Sequence, residues 1–442
     1  MQMNIVCSSF RKYISVQWRR SLATTSNPQS GILVRDFIQK HYLDPRRNIR
    51  YKEYPENPPM PLDFSNILTK GEYKRILAKR YHTYEDIWQT PIELFSPFYS
   101  IMIYNYMISK HPILVPLHIY DFNGANGTNA FNILTHMAKR SPELYNKCEY
   151  TIIEPNSYLC ERQEQKLSLF KDHVHIINND ISSSSFSLPI WSESCFIIGC
   201  EYIDRLTHDK VRIKHDLKGM DKYRECHIYN KNGRYIEQYE RIQDPVIQSY
   251  LRIYDEYRTS IISSIQKDSE VGVKHVMKRF KKRFQTFNSQ DIYHDQIKDI
   301  HNTDIFINTG LYMFVDKMKT FLPRNHFILN DFDILPPPDL SSSVPQDHSL
   351  DALYAPLVTY TDTKGDLIDM GSYLYTDKQY DLFFPTDFAL LDQVYRSQNV
   401  REPTILKNAD FFKSNIKTYI TKTILGYNPL LKDYMNSSFF LS

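Results

Sequence analysis

Between residues 117 and 204 the chain alternates short apolar stretches with amphipathic ones. The apolar stretches are Leu117–Phe122, Tyr150–Glu154, His173–Asn178 and Cys195–Glu201. The amphipathic stretches, from about Gly127 to Lys139 and from Tyr158 to Phe170, have helical spacing. Strands that alternate with helices across short turns predict a parallel, doubly wound sheet, so the expected fold class is α/β.

Helical patterns flank this region on both sides. Residues 32–41 predict a short helix, and residues 71–110 predict helices on either side of Thr90-Pro91-Ile92-Glu93. Residues 233–300 carry long helical patterns with few turn signals. From His301 the chain returns to an α/β pattern, interrupted by a Pro- and Ser-containing surface loop at 336–353.

Composition narrows the class of protein. The 442 residues are 42% hydrophobic and 14% aromatic, enough for a sizeable core. No stretch approaches the ~18 consecutive apolar residues typical of a membrane span. The net charge is +3, and without the four basic residues of the first 26 the chain is nearly neutral, which argues against a globally basic nucleic-acid-binding protein.

Residues 1–26 are rich in Ser and Thr, contain Arg11, Lys12, Arg19 and Arg20, and have no acid. Their apolar residues can line one helical face. This is typical of a mitochondrial presequence, which is the expectation here; a disordered basic tail is the alternative. The six cysteines form no CxxC pair and have no metal-ligand spacing, so no metal site is predicted.

A second basic segment lies at residues 274–283. Its lysines and arginines surround an apolar stripe of Val273, Met277, Phe280 and Phe284. The favoured interpretation is an amphipathic helix that packs through its Phe stripe; binding of RNA or an acidic partner stays open.

The candidate chemistry begins where the first strand ends, at Asp121. The turn that follows contains Asn123, Gly124, Ala125 and Gly127. Backbone in such a turn runs close to a ligand, which favours glycine, and Asn is the best substitute where φ is positive. The pattern is not GxGxxG, so no dinucleotide fingerprint is predicted. An ordinary strand-to-helix turn is the alternative.

Acids follow the next strands as well. Glu154 can receive both hydroxyls of a ribose, as the acid after a second strand does in nucleotide-binding folds. Asp180 can meet an adenine amino group. Solvated or turn-forming acids are the alternatives at these two positions. Glu201 and Asp204 are three residues apart and can hold a guanidinium in a fixed fork, or else cap the following helix.

These stretches resemble the MidA family of mitochondrial methyltransferases, which use S-adenosylmethionine and modify a complex I subunit at arginine. LHIYDFNGANGT resembles the family's strand and Gly-rich turn, YTIIEPNSYLCERQEQKL its second strand and helix, and CFIIGCEYIDRL its acidic box. HFILNDFDILPPP, YAPLVTY and YDLFFPTDF resemble the C-terminal half of a fungal branch. Together they span residues 90–400.

The resemblance implies a seven-stranded class I methyltransferase (Rossmann-like) sheet with helical insertions. From the resemblance together with the patterns along the chain, we expect a presequence at 1–26, a helical region at 27–116, a cofactor-binding core at 117–232, a helical insertion at 233–300 and a sheet-completing part at 301–442. Asp121, Asn123, Gly124, Ala125 and Gly127 would bind the methionine end of S-adenosylmethionine. Glu154 would bind the ribose, Asp180 the adenine, and the catalytic Glu201 and Asp204 would face the methyl acceptor.

The expected function is therefore a matrix enzyme that methylates protein arginine, with a respiratory-complex subunit as a candidate partner. The chain departs from the family pattern at Asp121, where the family has Glu. It also departs at Asn123 and Ala125, which replace glycines, and at Cys200, which replaces Asn. A catalytically degenerate assembly or scaffold factor is the alternative function.

Overall fold

The computed structural model describes residues 31–44, 60–84, 90–112, 115–269, 302–340, 347–362, 367–375, 379–399 and 401–442. The predicted presequence and the basic segment at 274–283 lie outside these residues. The strands are β1 (Ile32–Leu33), β2 (Leu117–Phe122), β3 (Cys148–Ile153), β4 (Val174–Ile177), β5 (Cys195–Cys200), β6 (Asp209–Lys214), β7 (Tyr223–Lys231), β8 (Arg234–Arg241), β9 (Asn302–Ile307), β10 (Asn325–Phe332), β11 (Leu357–Thr361), β12 (Leu367–Asp369), β13 (Asp381–Phe383), β14 (Thr404–Lys407) and β15 (Ser437–Leu441).

The described α-helices lie before, between and after these strands. They are Val34–Leu43, Lys70–Tyr84, Pro91–Leu94, Phe98–Lys110, Thr128–Arg140, Pro142–Tyr145, Ser157–Lys166, Pro245–Ser269, Thr309–Phe321, Phe388–Gln398, Asn408–Asn415 and Pro429–Lys432. No helix in the described part of the chain is both long and apolar enough to cross a membrane.

The main sheet has seven strands in the order β14-β15-β10-β5-β2-β3-β4. Neighbours from β10 to β4 are parallel, whereas β15 runs antiparallel to both β10 and β14. The chain leaves β2 toward β3 and β4 and then returns to the other side of β2 as β5. The predicted seven-stranded α/β fold is thus confirmed, with a topological switch point between β2 and β5, where such sheets bind ligands.

Both faces of this sheet are buried. On β5, Phe196 and Ile198 pack into the core on one face, and Ile197 packs into the core on the other. All three are at most 1% exposed. A strand covered on both sides needs apolar residues at every position, which is why CFIIGC reads as a continuous apolar run.

Two smaller antiparallel sheets accompany the main one. In the first, β7 pairs with β8 along one edge and with β6 and β1 along the other, and β9 extends β6. The second has the order β12-β11-β13. A third apolar core joins these sheets to the helix Val34–Leu43.

The helical prediction for residues 233–300 is wrong at its beginning, because residues 234–241 form β8. The Asn232-Gly233 pair, with φ values of 54° and 84°, makes a two-residue hairpin turn from β7. Turns of this kind need positive φ at both central residues, which Asn-Gly supplies at little cost. The helix Pro245–Ser269 agrees with the prediction; residues 270–300 lie outside the described part.

Candidate functional site

Two adjoining cavities lie at the carboxyl edge of the main sheet, and both are lined by Asn123 and Leu159. The first has a volume of about 770 Å³ and the second about 610 Å³, counting space open to solvent. Glu154, Asp180 and Tyr202 are among the residues that line the first cavity. Asp121, the turn that follows it and Glu201 line the second.

The turn after β2 has the backbone that the sequence predicts. Asn123 has φ of 64°, Ala125 has 47° and Gly127 has 73°. Gly127 immediately precedes the helix Thr128–Arg140 and lines neither cavity; a Cβ added to it would lie 3.3 Å from Cδ1 of Leu167. Gly124 is needed for packing, because a Cβ there would lie 2.7 Å from Cγ2 of Ile152.

Side chains around the turn fix its shape. Asn123 donates through Nδ2 to the carbonyl of Glu201 at 3.1 Å, which links the ends of β2 and β5. Gln163 donates to the carbonyl of Ala125 at 2.8 Å. The turn is therefore held from two neighbouring elements before any ligand binds.

Asp121 is 3% exposed and accepts hydrogen bonds from its neighbours within the protein. Its Oδ2 accepts from the hydroxyl of Tyr150 at 2.6 Å and from Asn129 at 3.4 Å. Burial raises the pKa of Asp121 to about 6, although the two hydrogen bonds act in the opposite direction. At neutral pH the side chain is an anion at the edge of the second cavity.

Glu154 and Asp180 meet in the first cavity, as predicted for two acids at neighbouring strand ends. Glu154 is 1% exposed, and its Oε1 accepts from the backbone N–H of Asn156 at 3.1 Å. Asp180 accepts from the N–H of Ser182 at 2.9 Å and from Nε2 of Gln39 at 2.9 Å.

Glu201 and Asp204 do not meet in one cavity. Glu201 leaves β5 with φ of 49° and lines the second cavity. Asp204 is 1% exposed, lines neither cavity, and donates through its N–H to Asp331 at 2.9 Å. Burial, and then the nearby Asp204, raise the pKa of Asp331 well above its usual range.

The guanidinium of Arg205 lies beside Asp204. Nε of Arg205 is 3.5 Å from its Oδ2, and the same guanidinium forms a bidentate ion pair with Asp381. Asp204 therefore lies beside Arg205 and Asp331, outside the two cavities.

Sequence reasoning missed two contributions to the site. Glu93 lines the second cavity together with Glu201, and its Oε1 accepts from the hydroxyl of Thr128 at 2.6 Å. The segment Thr90-Pro91-Ile92-Glu93 is the sequence signal that could have pointed to Glu93. Gln39, Tyr42 and Leu43 of the N-terminal helix line the first cavity. Nothing in the sequence predicts that this helix lines the cavity, since Gln39 and Asp180 are 141 positions apart.

Comparisons with known proteins agree with this architecture. A family model described as "Putative S-adenosyl-L-methionine-dependent methyltransferase" matches residues 101–405. None of the curated proteins matches the chain.

Among solved structures, a Burkholderia thailandensis protein crystallised with S-adenosyl-homocysteine is 11% identical, with a TM-score of 0.52. The match covers 98% of this chain and 92% of that one. An uncharacterized protein of the same organism, in a native crystal structure, is also 11% identical, with a TM-score of 0.50 and coverage of 98% and 91%. At this identity the two structures establish likeness of fold.

Proposed function

Since this chain belongs to the S-adenosyl-L-methionine-dependent methyltransferase family that matches residues 101–405, we propose that it is an active enzyme and that its methyl acceptor is a protein arginine. The cofactor is S-adenosylmethionine. The single observation that carries the proposal is the pair of adjoining cavities, with acids from successive strand ends in each.

The residues present fit the cofactor from one end to the other. In the first cavity, Glu154 is buried at the end of β3 and lies where it can accept from the ribose hydroxyls, with Asp180 nearby for the adenine. In the second, Asp121 supplies negative charge, and the positive-φ turn at Asn123 and Ala125 brings backbone close to the methionine end. The two cavities adjoin at Asn123, so one elongated molecule can occupy both.

The second cavity supports a cationic methyl acceptor. Glu93 and Glu201 reach it from different elements, and two carboxylates can hold a guanidinium in a fixed orientation. Glu93 takes the role first predicted for Asp204. When bound, the cofactor supplies an electrophilic methyl group. The task of the protein is mainly to align the acceptor nitrogen with that group and to exclude water.

Mitochondrial location and a link to respiratory-complex assembly complete the proposal. They are supported by the basic, acid-free residues 1–26 and by the resemblance of residues 90–400 to the MidA family. A fluorescent protein fused after the full chain should enter mitochondria, and replacing Arg11, Lys12, Arg19 and Arg20 by Gln should prevent entry. Unchanged import of that variant would contradict the predicted presequence.

The activity test is methyl transfer from radiolabelled S-adenosylmethionine to a mitochondrial protein extract. We expect label in protein, recovered as methylarginine after hydrolysis. Glu201→Gln and Glu93→Gln should lower transfer at least tenfold, roughly the effect of one lost charged hydrogen bond, while cofactor binding is retained. Glu149→Gln, an exposed acid on β3, is the matched control.

Label in lysine alone would overturn the arginine assignment. Full complementation of a deletion strain by the Glu154→Gln and Glu201→Gln variants would instead favour the scaffold alternative, in which the acids are dispensable.

A further inference from the structure

The first cavity is closed on one side by a helix that lies outside the family-matched residues 101–405. Gln39, Tyr42 and Leu43 of Val34–Leu43 line this cavity together with Glu154 and Asp180. Positions i, i+3 and i+4 lie on one face of a helix, so these three residues present a single surface. The cavity therefore combines an N-terminal element with the strand ends of the main sheet.

The helix is firmly attached to the rest of the fold. Arg35 donates through its guanidinium to Asp209 at 2.8 Å and to Asp244 at 2.9 Å. On the other side, Phe37 packs edge-on against Tyr235 with ring centroids 5.0 Å apart. Immediately before the helix, β1 pairs with β7. Because the helix is anchored in this way, the surface that carries Gln39 is a fixed part of the wall of the first cavity.

We propose that this helix is part of the adenosine-binding site, and that Gln39 is a positioning residue that orients Asp180 toward the amino group of the adenine. The inference rests on the proposed use of S-adenosylmethionine. Nε2 of Gln39 donates to Oδ2 of Asp180 at 2.9 Å, while the N–H of Ser182 donates to Oδ1 at 2.9 Å.

These two donors set the plane of the carboxylate. An ionised carboxylate has about four acceptor positions, so each oxygen of Asp180 can still accept from a ligand N–H. Adenine offers an amino group as donor. Hypoxanthine, its deaminated counterpart, has a carbonyl oxygen at that position, which a carboxylate repels. Gln39 thus contributes to selection of adenine without touching it, while Tyr42 and Leu43 provide apolar surface for the ring.

The test is calorimetric titration of the full chain with S-adenosylhomocysteine and with S-inosylhomocysteine, its deaminated analogue. The variants are Gln39→Ala and Asp180→Ala, singly and combined. Lys40→Ala, an exposed neighbour on the same helix, is the matched control. Thermal unfolding of every variant establishes that the fold is kept; alanine has the highest helix propensity, so Gln39→Ala should not weaken the helix itself.

We expect the wild type to prefer the adenine ligand. Gln39→Ala should weaken its binding about tenfold or more, the scale of one hydrogen bond to a charged group, with little change for the inosine ligand. In the Asp180→Ala background, Gln39→Ala should have no further effect. Lys40→Ala should match the wild type.

Equal affinities for wild type and Gln39→Ala would overturn the proposal. Equal weakening of both ligands would also overturn it, because a purely structural role for the helix would not change adenine selectivity. A folded wild type that binds neither ligand would contradict the proposed function itself, which is a different result from failure of Gln39 alone.

Discussion

At the scale of single residues, Asp121 is an ionisable group in an unfavourable place. It accepts two hydrogen bonds from Tyr150 and Asn129, yet its pKa is raised to about 6, because the loss of hydration outweighs those bonds. Such a group lowers stability when it is ionised. Its place at the second cavity puts this carboxylate where a cationic ligand would meet it.

Asp121→Asn should therefore stabilise the protein at pH 8. Because the folded-state pKa is raised, the folded protein binds more protons than the unfolded one between pH 6 and the usual value of 3.8. The loss of stability caused by burial of the ionised Asp121 carboxylate is complete above about pH 6 and disappears as the pH falls toward 4. We expect a gain of about 3 kcal/mol at pH 8 that shrinks at pH 5.

Thermal unfolding at the two pH values measures this difference. Asp172→Asn, at an exposed position, is the control. A stabilisation of equal size at both pH values would contradict the explanation by burial.

The sequence predicted some residues of the site better than others. Asp121, Glu154 and Asp180 end parallel strands, and strand ends share one edge, so their approach follows from the pattern alone. The expected pairing of Glu201 and Asp204 around one guanidinium is not found in the structure. The positive φ at Glu201 redirects the chain, which carries Asp204 inward to Arg205 and Asp331.

At the scale of elements, the turn after β2 works with few glycines. Ala125 has φ of 47°, a conformation that an L-residue with a Cβ adopts at a cost, whereas Gly124 is required by contact with Ile152. The two neighbours therefore have opposite requirements. The number of glycines in this turn therefore does not show which position requires a glycine.

Ala125→Gly should relieve the strain of positive φ and change stability by at most about 1 kcal/mol, in the stabilising direction. Gly124→Ala should destabilise by about 1–3 kcal/mol, since its Cβ would press on the core side of β3. Chemical denaturation of both variants measures the contrast. Equal effects of the two substitutions would contradict the described turn.

Elements outside the alternating region were harder to predict. The β7–β8 hairpin contradicts the helical prediction for residues 233–300 at its start, although Asn232-Gly233 is a strong hairpin signal. By contrast, helix formation at Val34–Leu43 was predictable from the spacing of its apolar residues. Its position over the first cavity depends on Arg35, Asp209 and Asp244, which are far apart in the sequence.

At the scale of the whole molecule, Arg35 joins the N-terminal helix to the antiparallel sheet. Its partner Asp209 is fully buried and also accepts from Thr309 at 2.6 Å. Arg35→Ala leaves this carboxylate buried without its cation. We expect a loss of about 3–5 kcal/mol in the free energy of unfolding, together with weaker cofactor binding.

Arg252→Ala, at an exposed site on the helix Pro245–Ser269, is the control for loss of a charge. Denaturant unfolding measures stability, and calorimetry measures binding. A change in Arg35→Ala no larger than that in Arg252→Ala would contradict the anchoring role.

The architecture as a whole was predictable because strand and helix alternate, and because the central strands of a doubly covered sheet are largely apolar. The completion of the sheet by residues 301–442 was implied by the family resemblance rather than by periodicity, and the reversal of β15 was not predicted. Apart from the β7–β8 hairpin with its Asn-Gly turn, the smaller sheets had no comparable signal, since most of their other strands are short or pair with strands far along the chain.

The cofactor site is tested most directly by titration of S-adenosylhomocysteine into the folded full chain and its Glu154→Gln variant, with Glu149→Gln on the same strand as control. We expect the wild type and the control to bind, and we expect binding to Glu154→Gln to be about tenfold or more weaker, because a buried carboxylate placed to accept from ribose hydroxyls is lost. A well-folded wild type that does not bind, or a Glu154→Gln variant that binds equally well, would contradict this cofactor site.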